Sequence, residues 1–482
     1  MAKNACNHKK QAGVLLHISS LPSADLGQDA YQFVDFLAAS GVSVWQTLPI
    51  NMPHADNSPY QCVSAHAANT AFISLQQLAK QGLIDEADTQ LGHTEALNLA
   101  YDNHVKHALQ EAFKGFCQQH EAWLNDFSLY ATLRKKFHNV GWNQWDTHYK
   151  NRDPAALKAF QTEHTFAIEQ IKFHQFLFFK QWDTLKTYAN VNNIALFGDI
   201  PIFVAYDSAE VWAKPSLFKL DENNDMTVVA GVPPDYFSET GQRWGNPHYN
   251  WDEMAKDHYA WWVARMRTQS ELFDLVRIDH FRGLEAAWEI PSSEETAMNG
   301  TWVTAPGDDL LTAIYAQCPH IHLIAEDLGI ITVEVDALRL KYNMPGMKIL
   351  QFAFGGDETN PYLPENIEEN SVVYTGTHDN DTTLGWYQQA GQETKEHLHH
   401  YLQNDQPDMP SALIALVFAT KAKLAIVPMQ DILALDSAHR MNTPGTTEKN
   451  NWAWRFNWAQ LTQAHQEQFK QAVNDAGRAD NG

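Results

Sequence analysis

The chain has 482 residues, 44% hydrophobic and 19% charged, with 34 Lys and Arg against 58 Asp and Glu for a formal charge of −24. That length sustains a large core without disulfides or metals, and the acidity disfavours polyanions, so neither nucleic acid nor an anionic membrane surface is an expected partner. Cys6, Cys62, Cys117 and Cys318 lack zinc or redox spacing, no apolar leader or membrane-length run is seen, and a cytoplasmic protein is expected.

Eight short apolar segments follow one another along the chain. They are Gly13–His17, Val42–Ile50, Ile194–Val204, Phe273–Asp279, Ile321–Glu326, Met347–Phe354, Val372–Thr377 and Leu424–Gln430. Helix-like stretches separate several of them, among them Ala30–Ser40, Tyr259–Leu272 and Asp309–Gln317. Strands alternating with helices imply βαβ units and a parallel sheet, and runs without a polar face fit a sheet buried on both sides. Eight such strands favour a closed (β/α)8 barrel (TIM barrel, class α/β) over an open doubly wound sheet. Residues 1–482 are expected to form one catalytic barrel with helical insertions on its C-terminal, active-site face.

Strand spacing is uneven. Roughly 140 residues separate the second and third strands, far more than a crossover requires. They are read as a mainly helical insertion over 51–190, with helices near Asn103–His120, Trp123–Phe137 and Thr165–Val191. A second insertion, 205–257, is rich in Pro, Gly and aromatic residues.

Three segments end in a carboxylate: Leu275-Val-Arg-Ile-Asp279, His322-Leu-Ile-Ala-Glu326 and Val372-Val-Tyr-Thr-Gly-Thr-His-Asp379. At the C-terminal end of a barrel strand such groups point into the active-site mouth. Three converging acids, with Arg277, His280 and His378 nearby, suit glycosidic-bond chemistry, where one carboxylate attacks the sugar and another shuttles a proton. Alternation puts Arg277 and Asp279 on one strand face, where the guanidinium would keep Asp279 ionised; a purely structural Arg–Asp pair competes with that reading. Glu326, beside apolar surface, suits a general acid of raised pKa. Its rivals are a helix N-terminal role and the adjacent Asp327, which alternation turns to the opposite face.

His378-Asp379-Asn380-Asp381 is the densest polar cluster. Its residues could bind sugar hydroxyls, or form an Asx-rich turn capping a helix at Thr382. A metal held there would lack a second ligand set of recognisable spacing. Phosphate-loop, dinucleotide and nucleophile-elbow motifs are absent, so kinase, dehydrogenase and serine-hydrolase readings have no support. The 16 Trp, 16 Tyr and 24 Phe fit a carbohydrate binder, though aromatics also fill large cores.

Jointly, the order Asp, Glu, Asp on the fourth, fifth and seventh strands is that of α-retaining amylase-type barrels. From about Gly13 to Trp458 the chain resembles the 4-α-glucanotransferases, the amylomaltases or disproportionating enzymes. The resemblance is carried by Gly13-Val-Leu-Leu-His17, Ser58-Pro-Tyr-Gln61, Gly198-Asp-Ile-Pro-Ile-Phe203 and Val232-Pro-Pro-Asp-Tyr-Phe-Ser-Glu-Thr-Gly-Gln-Arg-Trp-Gly-Asn246. Further blocks are Val276-Arg-Ile-Asp-His-Phe-Arg-Gly283, Ala325-Glu-Asp-Leu-Gly329, Tyr374-Thr-Gly-Thr-His-Asp-Asn-Asp381 and Asn451-Trp-Ala-Trp-Arg455.

The resemblance implies Asp279 as nucleophile, Glu326 as general acid/base and Asp379 as transition-state stabiliser. It implies Arg277, His280 and His378 around the donor sugar, Tyr60 as a stacking platform and Asn451 on the donor side. A lid over the cleft, Tyr236–Trp244, would touch glucan through Tyr236, Phe237, Gln242 and Trp244. The implied partners are maltooligosaccharides and other α-1,4-glucans, with glucose as an acceptor; no cofactor and no metal are implied. An amylase-type α-glucan hydrolase is the alternative activity, and an inactive glucan-binding scaffold the alternative of another class. The chain departs from the family at His54-Ala55-Asp56-Asn57, where many relatives carry Gly-Tyr-Gly, and in a short loop at Ser23–Gly27.

Overall fold

A run such as Leu424-Ala-Ile-Val-Pro428 has no polar side, so as a strand it must be covered on both faces. The computed structural model, which describes residues 9–104, 108–234, 238–446 and 449–480, bears this out. Strands β1 (Gln11–Leu15), β2 (Val44–Gln46), β3 (Ala195–Pro201), β4 (Val228–Val232), β5 (Gln242–Pro247) and β6 (Leu275–Asp279) come first in the chain. They are followed by β7 (Ala286–Pro291), β8 (Thr301–Thr304), β9 (Leu323–Ala325), β10 (Gly346–Ile349), β11 (Ser371–Tyr374) and β12 (Leu424–Pro428).

Eight of these pair in parallel in the order β10-β11-β12-β1-β2-β3-β6-β9, and each corresponds to one of the eight apolar segments of the sequence. The seam between β9 and β10 is narrowed by Ala325, whose N–H donates to the Pro345 carbonyl at 2.9 Å. The sheet is therefore a nearly closed (β/α)8 barrel. Alternation divides its residues between two cores. Leu15, Val44, Phe197, Ile324, Met347, Val372, Leu424 and Ile426 fill one cluster. Their neighbours Val14, Trp45, Leu196, Leu323, Val373, Ala425 and Val427 pack in the other, with the flanking helices. Gly198 is required by this packing, since a Cβ there would lie 2.2 Å from the Phe273 ring.

The long stretch after β2 is helical, including His93–Asn103, Gln110–Gln119, Glu121–Lys136, Pro154–Glu163 and the 27-residue helix Thr165–Val191. The single helix expected over Asn103–His120 is instead a helix ending at Asn103 and another starting at Gln110. Ala108, with φ of 53°, is left-handed and cannot continue a right-handed helix. Between β3 and β6, and just after β6, lies a second sheet, antiparallel, in the order β5-β4-β7-β8. It was not legible in the sequence: Gln242-Arg-Trp-Gly-Asn-Pro247 and Thr301-Trp-Val-Thr304 carry no extended apolar run.

Candidate active site

The barrel delivers the acids to one place. The register of β3 against β6 sets Asp199 beside Arg277 and Pro201 beside Asp279. Arg277 donates to Asp199 Oδ2 at 2.6 Å and its other Nη lies 2.7 Å from Asp279 Oδ1. Asp279 is followed by His280, a non-glycine residue in the left-handed region with φ of 55°. This conformation costs about 1–2 kcal/mol and directs the His280 N–H onto Glu326 Oε2 at 2.6 Å. Glu326, just past β9, accepts a second bond at Oε1 from the Leu328 N–H at 3.1 Å. Its carboxyl is thus fastened to the residue next to Asp279.

Asp379 lies past β11 in a turn closed by Asn380, whose Oδ1 accepts from the Thr377 N–H at 2.8 Å and the Thr377 hydroxyl at 2.9 Å. Buried Asp431 anchors both sides of that turn. It accepts from the Thr375 hydroxyl at 2.6 Å and from the Thr383 hydroxyl and N–H at 2.7 and 2.8 Å. Thr382 does cap the next helix, its Oγ1 accepting from Gly385 N–H at 3.1 Å. Capping and cleft exposure coexist, because Asp379 is left open with 46% of its side chain exposed.

The electrostatics separate the three acids. Burial pushes Asp279 up to about 6 against the pull of Arg277, so the acid is ionised near neutrality, with the arginine opposing desolvation. Burial, opposed by Arg277 and aided by the charge on Asp279, pushes Glu326 up to about 7. Glu326 is therefore the last of the pair to lose its proton. For Asp379, burial acts upward but is outweighed by His378 Nε2 at 3.4 Å and the Asn442 amide at 2.7 Å. Its carboxyl sits below the usual range, and although solvent screens these contacts it is the first of the three to ionise. Burial lowers the His378 ring's basicity, yet Asp379 outweighs it and the net shift is upward.

A cleft of about 590 Å³ runs over these groups, lined by Tyr60, Gln242, Trp244, Arg277, Asp279, His280, Glu326 and Asp379 among others. Tyr60 stacks on the His378 ring at 5.2 Å and 15°, and its hydroxyl donates to Asp199 Oδ2 at 2.7 Å. Trp244 meets His280 edge-on at 4.9 Å and donates from Nε1 to Gln242 Oε1 at 3.2 Å. Tyr236 and Phe237 fall outside the described residues. Asn451 is not among the lining residues; its Oδ1 accepts from the Thr443 N–H and its Nδ2 donates to Thr446, holding the turn that carries Pro444 and Gly445 into the cleft. Asp327, the rival of Glu326, is buried away from it, accepting from the Met347 N–H at 2.6 Å and lying 3.4 Å from Arg339.

Sequence reasoning missed four groups: Asp199, Asn442, Asp431 and Trp452, whose ring lies 5.7 Å from Tyr60. Asp199 stands inside a quoted block and at the inward-facing register of Arg277, which was a usable signal. Asn442 and Asp431 approach the Asp379 turn from more than 45 residues away in sequence, and alternation along one strand says nothing about them.

Comparison with known proteins agrees with this geometry. A model described as 4-alpha-glucanotransferase matches residues 16–462. The chain belongs to the 4-alpha-glucanotransferase family. It is 44% identical to 4-alpha-glucanotransferases of Synechocystis sp., over 94% of this chain and 95% of that one, and of Thermus thermophilus, over 94% and 96%. Its fold matches an amylomaltase from Streptococcus agalactiae in complex with acarbose with a TM-score of 0.93 and 35% identity, covering 98% of this chain and all of that one. The enzyme is accordingly a 4-α-glucanotransferase, and α-glucans are its substrates. Among the described residues no helix is long and apolar enough to cross a membrane.

Proposed function

We propose that Asp279 is the nucleophile, Glu326 the general acid/base and Asp379 the transition-state stabiliser of this transfer. Glu326 gives its proton to the glycosidic oxygen while Asp279 Oδ attacks C1, so the C1–O bond breaks and a β-glucosyl ester forms. The shortened glucan leaves with the proton. Glu326, now ionised, takes the proton from the 4-OH of an arriving glucan or glucose, whose oxygen displaces Asp279 and restores the α-configuration. Asp379 accepts from hydroxyls of the reacting sugar, and Arg277, His280 and His378 hold that sugar. Tyr60 offers its ring, and Asn451 acts on the donor side through the 443–446 turn.

The observation that carries this reading is geometric: the Glu326 carboxyl, pushed up by burial, is bonded at 2.6 Å by the N–H of the residue that follows Asp279, whose own carboxylate lies 2.7 Å from the Arg277 guanidinium. Near neutrality this supplies an acid and a nucleophile together. Trp244, with Gln242 and the lid residues Tyr236 and Phe237, gives the second glucan a surface that water cannot use, favouring transfer over hydrolysis. The barrel and its insertions, 51–190 and 205–257, form one catalytic unit over 1–482. The buried, disulfide-free thiols Cys62 and Cys318 support cytoplasmic residence.

The test is incubation with maltotriose, with products resolved by chain length and free glucose assayed. Longer maltodextrins together with glucose are expected. Glucose and maltose without longer products would mean hydrolysis and would overturn the reading.

A further inference from the structure

Besides the acids, the cleft is lined by Arg282 and Ile330, from the loops that follow Asp279 and Glu326, and by Trp302. Trp302 lies in β8, the edge strand of the small sheet, directly opposite Trp288 in β7. Large aromatic side chains normally hide most of their surface, yet this residue is 39% exposed. The ring is not free to wander. The Arg282 guanidinium lies 3.8 Å from its centre, covering one face, and Trp288 packs against it at 5.2 Å and 62°. Arg282 is itself buried and donates from Nη1 to the Ile330 carbonyl. The indole is therefore backed by a fixed cation and offers its other face to the cleft.

Position says what such a face would meet. Arg282 is three residues beyond Asp279, and Ile330 four beyond Glu326. Both loops that leave the two acids thus run out to this ring. Asn442 and Trp452, by contrast, flank the Asp379 end. If Asp379 holds the sugar whose C1 reacts, the departing and arriving glucans lie on the Glu326 side, toward Trp302. A flat, immobilised apolar ring lining the cleft matches the C–H face of a pyranose. Trp244, against His280, is the nearer platform; Trp302, against Arg282, is the outer one.

We propose that Trp302, seated on Arg282, stacks a glucose unit of the acceptor glucan beyond the one that meets Trp244, and so sets the enzyme's preference for longer acceptors. This rests on the assignment of Asp379 to the donor side. A ring that merely finished the small sheet would affect every acceptor alike, because its loss would disturb the cleft as a whole. A ring that holds an outer unit affects only acceptors long enough to reach it.

The test uses the full chain with soluble starch as donor and labelled glucose or labelled maltotriose as acceptor, following label entering longer chains. The quantity read is kcat/KM for maltotriose divided by kcat/KM for glucose. Trp302→Ala and Trp302→Leu should each lower that ratio about tenfold, equivalent to ~1.4 kcal/mol, while Trp302→Tyr, which keeps a flat face, should hold it within about twofold. The leucine variant retains apolar cover over Arg282 and carries the measurement if the alanine variant does not fold. A ratio that stays constant in both, or a parallel fall for both acceptors, overturns the proposal alone. A wild-type enzyme that incorporates neither label, while releasing reducing ends from starch, overturns the transfer reading and this proposal with it.

Discussion

Replacing Arg277 by Gln isolates the charge that opposes burial at Asp279, the proposed nucleophile. The guanidinium is buried, 2.6 Å from Asp199 and 2.7 Å from Asp279, and it is the main influence holding Asp279 down to about 6. An adjacent cation depresses a carboxylate by about 1–3 units, so without it the Asp279 limb moves from about 6 to roughly 7–9. At pH equal to the wild-type value half of Asp279 is ionised; a rise of one unit leaves roughly a tenth and three units roughly a thousandth. Protonation alone then lowers kcat/KM there by roughly fivefold to five-hundredfold. The assay is the initial rate of maltotriose disproportionation from about pH 5 to about pH 9, with thermal melting alongside, since breaking a buried pair costs about 3–5 kcal/mol. The ascending limb should shift upward in Arg277→Gln and move back in Arg277→Lys. An ascending limb that stays at about 6 while only its height falls would refute the reasoning, for Arg277 would then not govern the acidity of Asp279.

Glu326→Gln tests the burial penalty from the stability side. The folded pKa is raised from 4.5 to about 7, so the carboxyl's stabilising contribution is full below about 4.5 and is lost as pH rises through about 7. The inactive glutamine variant should therefore gain about 2–3 kcal/mol over wild type at about pH 8 relative to about pH 4 in urea melts; an offset independent of pH would contradict this. Asp431→Ala strands Thr375 and Thr383, and should cost roughly 3–5 kcal/mol of stability and at least about tenfold in kcat as the Asp379 turn loosens. An unchanged kcat with maltotriose would separate Asp431 from catalysis. Trp244→Ala should lower the ratio of chain-lengthened product to new reducing ends by about tenfold, the scale of one lost ring contact; no change in that ratio would remove Trp244 from the exclusion of water.

What the sequence determined by itself was the barrel and the location of its acids. A strand covered on both faces has no polar positions to spare, so segments such as Leu323-Ile-Ala325 and Leu424-Ala-Ile-Val-Pro428 announce themselves, and a carboxylate at their ends is conspicuous. Helix Thr165–Val191 was legible with its ends for a related reason: it is long enough for local pattern to outweigh context. The small sheet was not, because β5 and β8 carry no apolar run and Val228-Val-Ala-Gly-Val232, though apolar, lies in a stretch rich in Pro, Gly and aromatic residues that reads as an insertion loop. Only tertiary structure decided that Asn442 touches Asp379 while Asn451 holds a turn, and that Asp199, Tyr60 and Arg277 form one bonded group. It also decided the acid strengths. Arg277 two residues from Asp279 predicts an ionised carboxylate from sequence, and apolar neighbours a raised Glu326, but that Asp279 is driven up as well comes from the assembled barrel, which removes water from both. Proximity along the chain is written in the order of residues; desolvation is the work of every layer packed around the site, and exists only once the chain has folded.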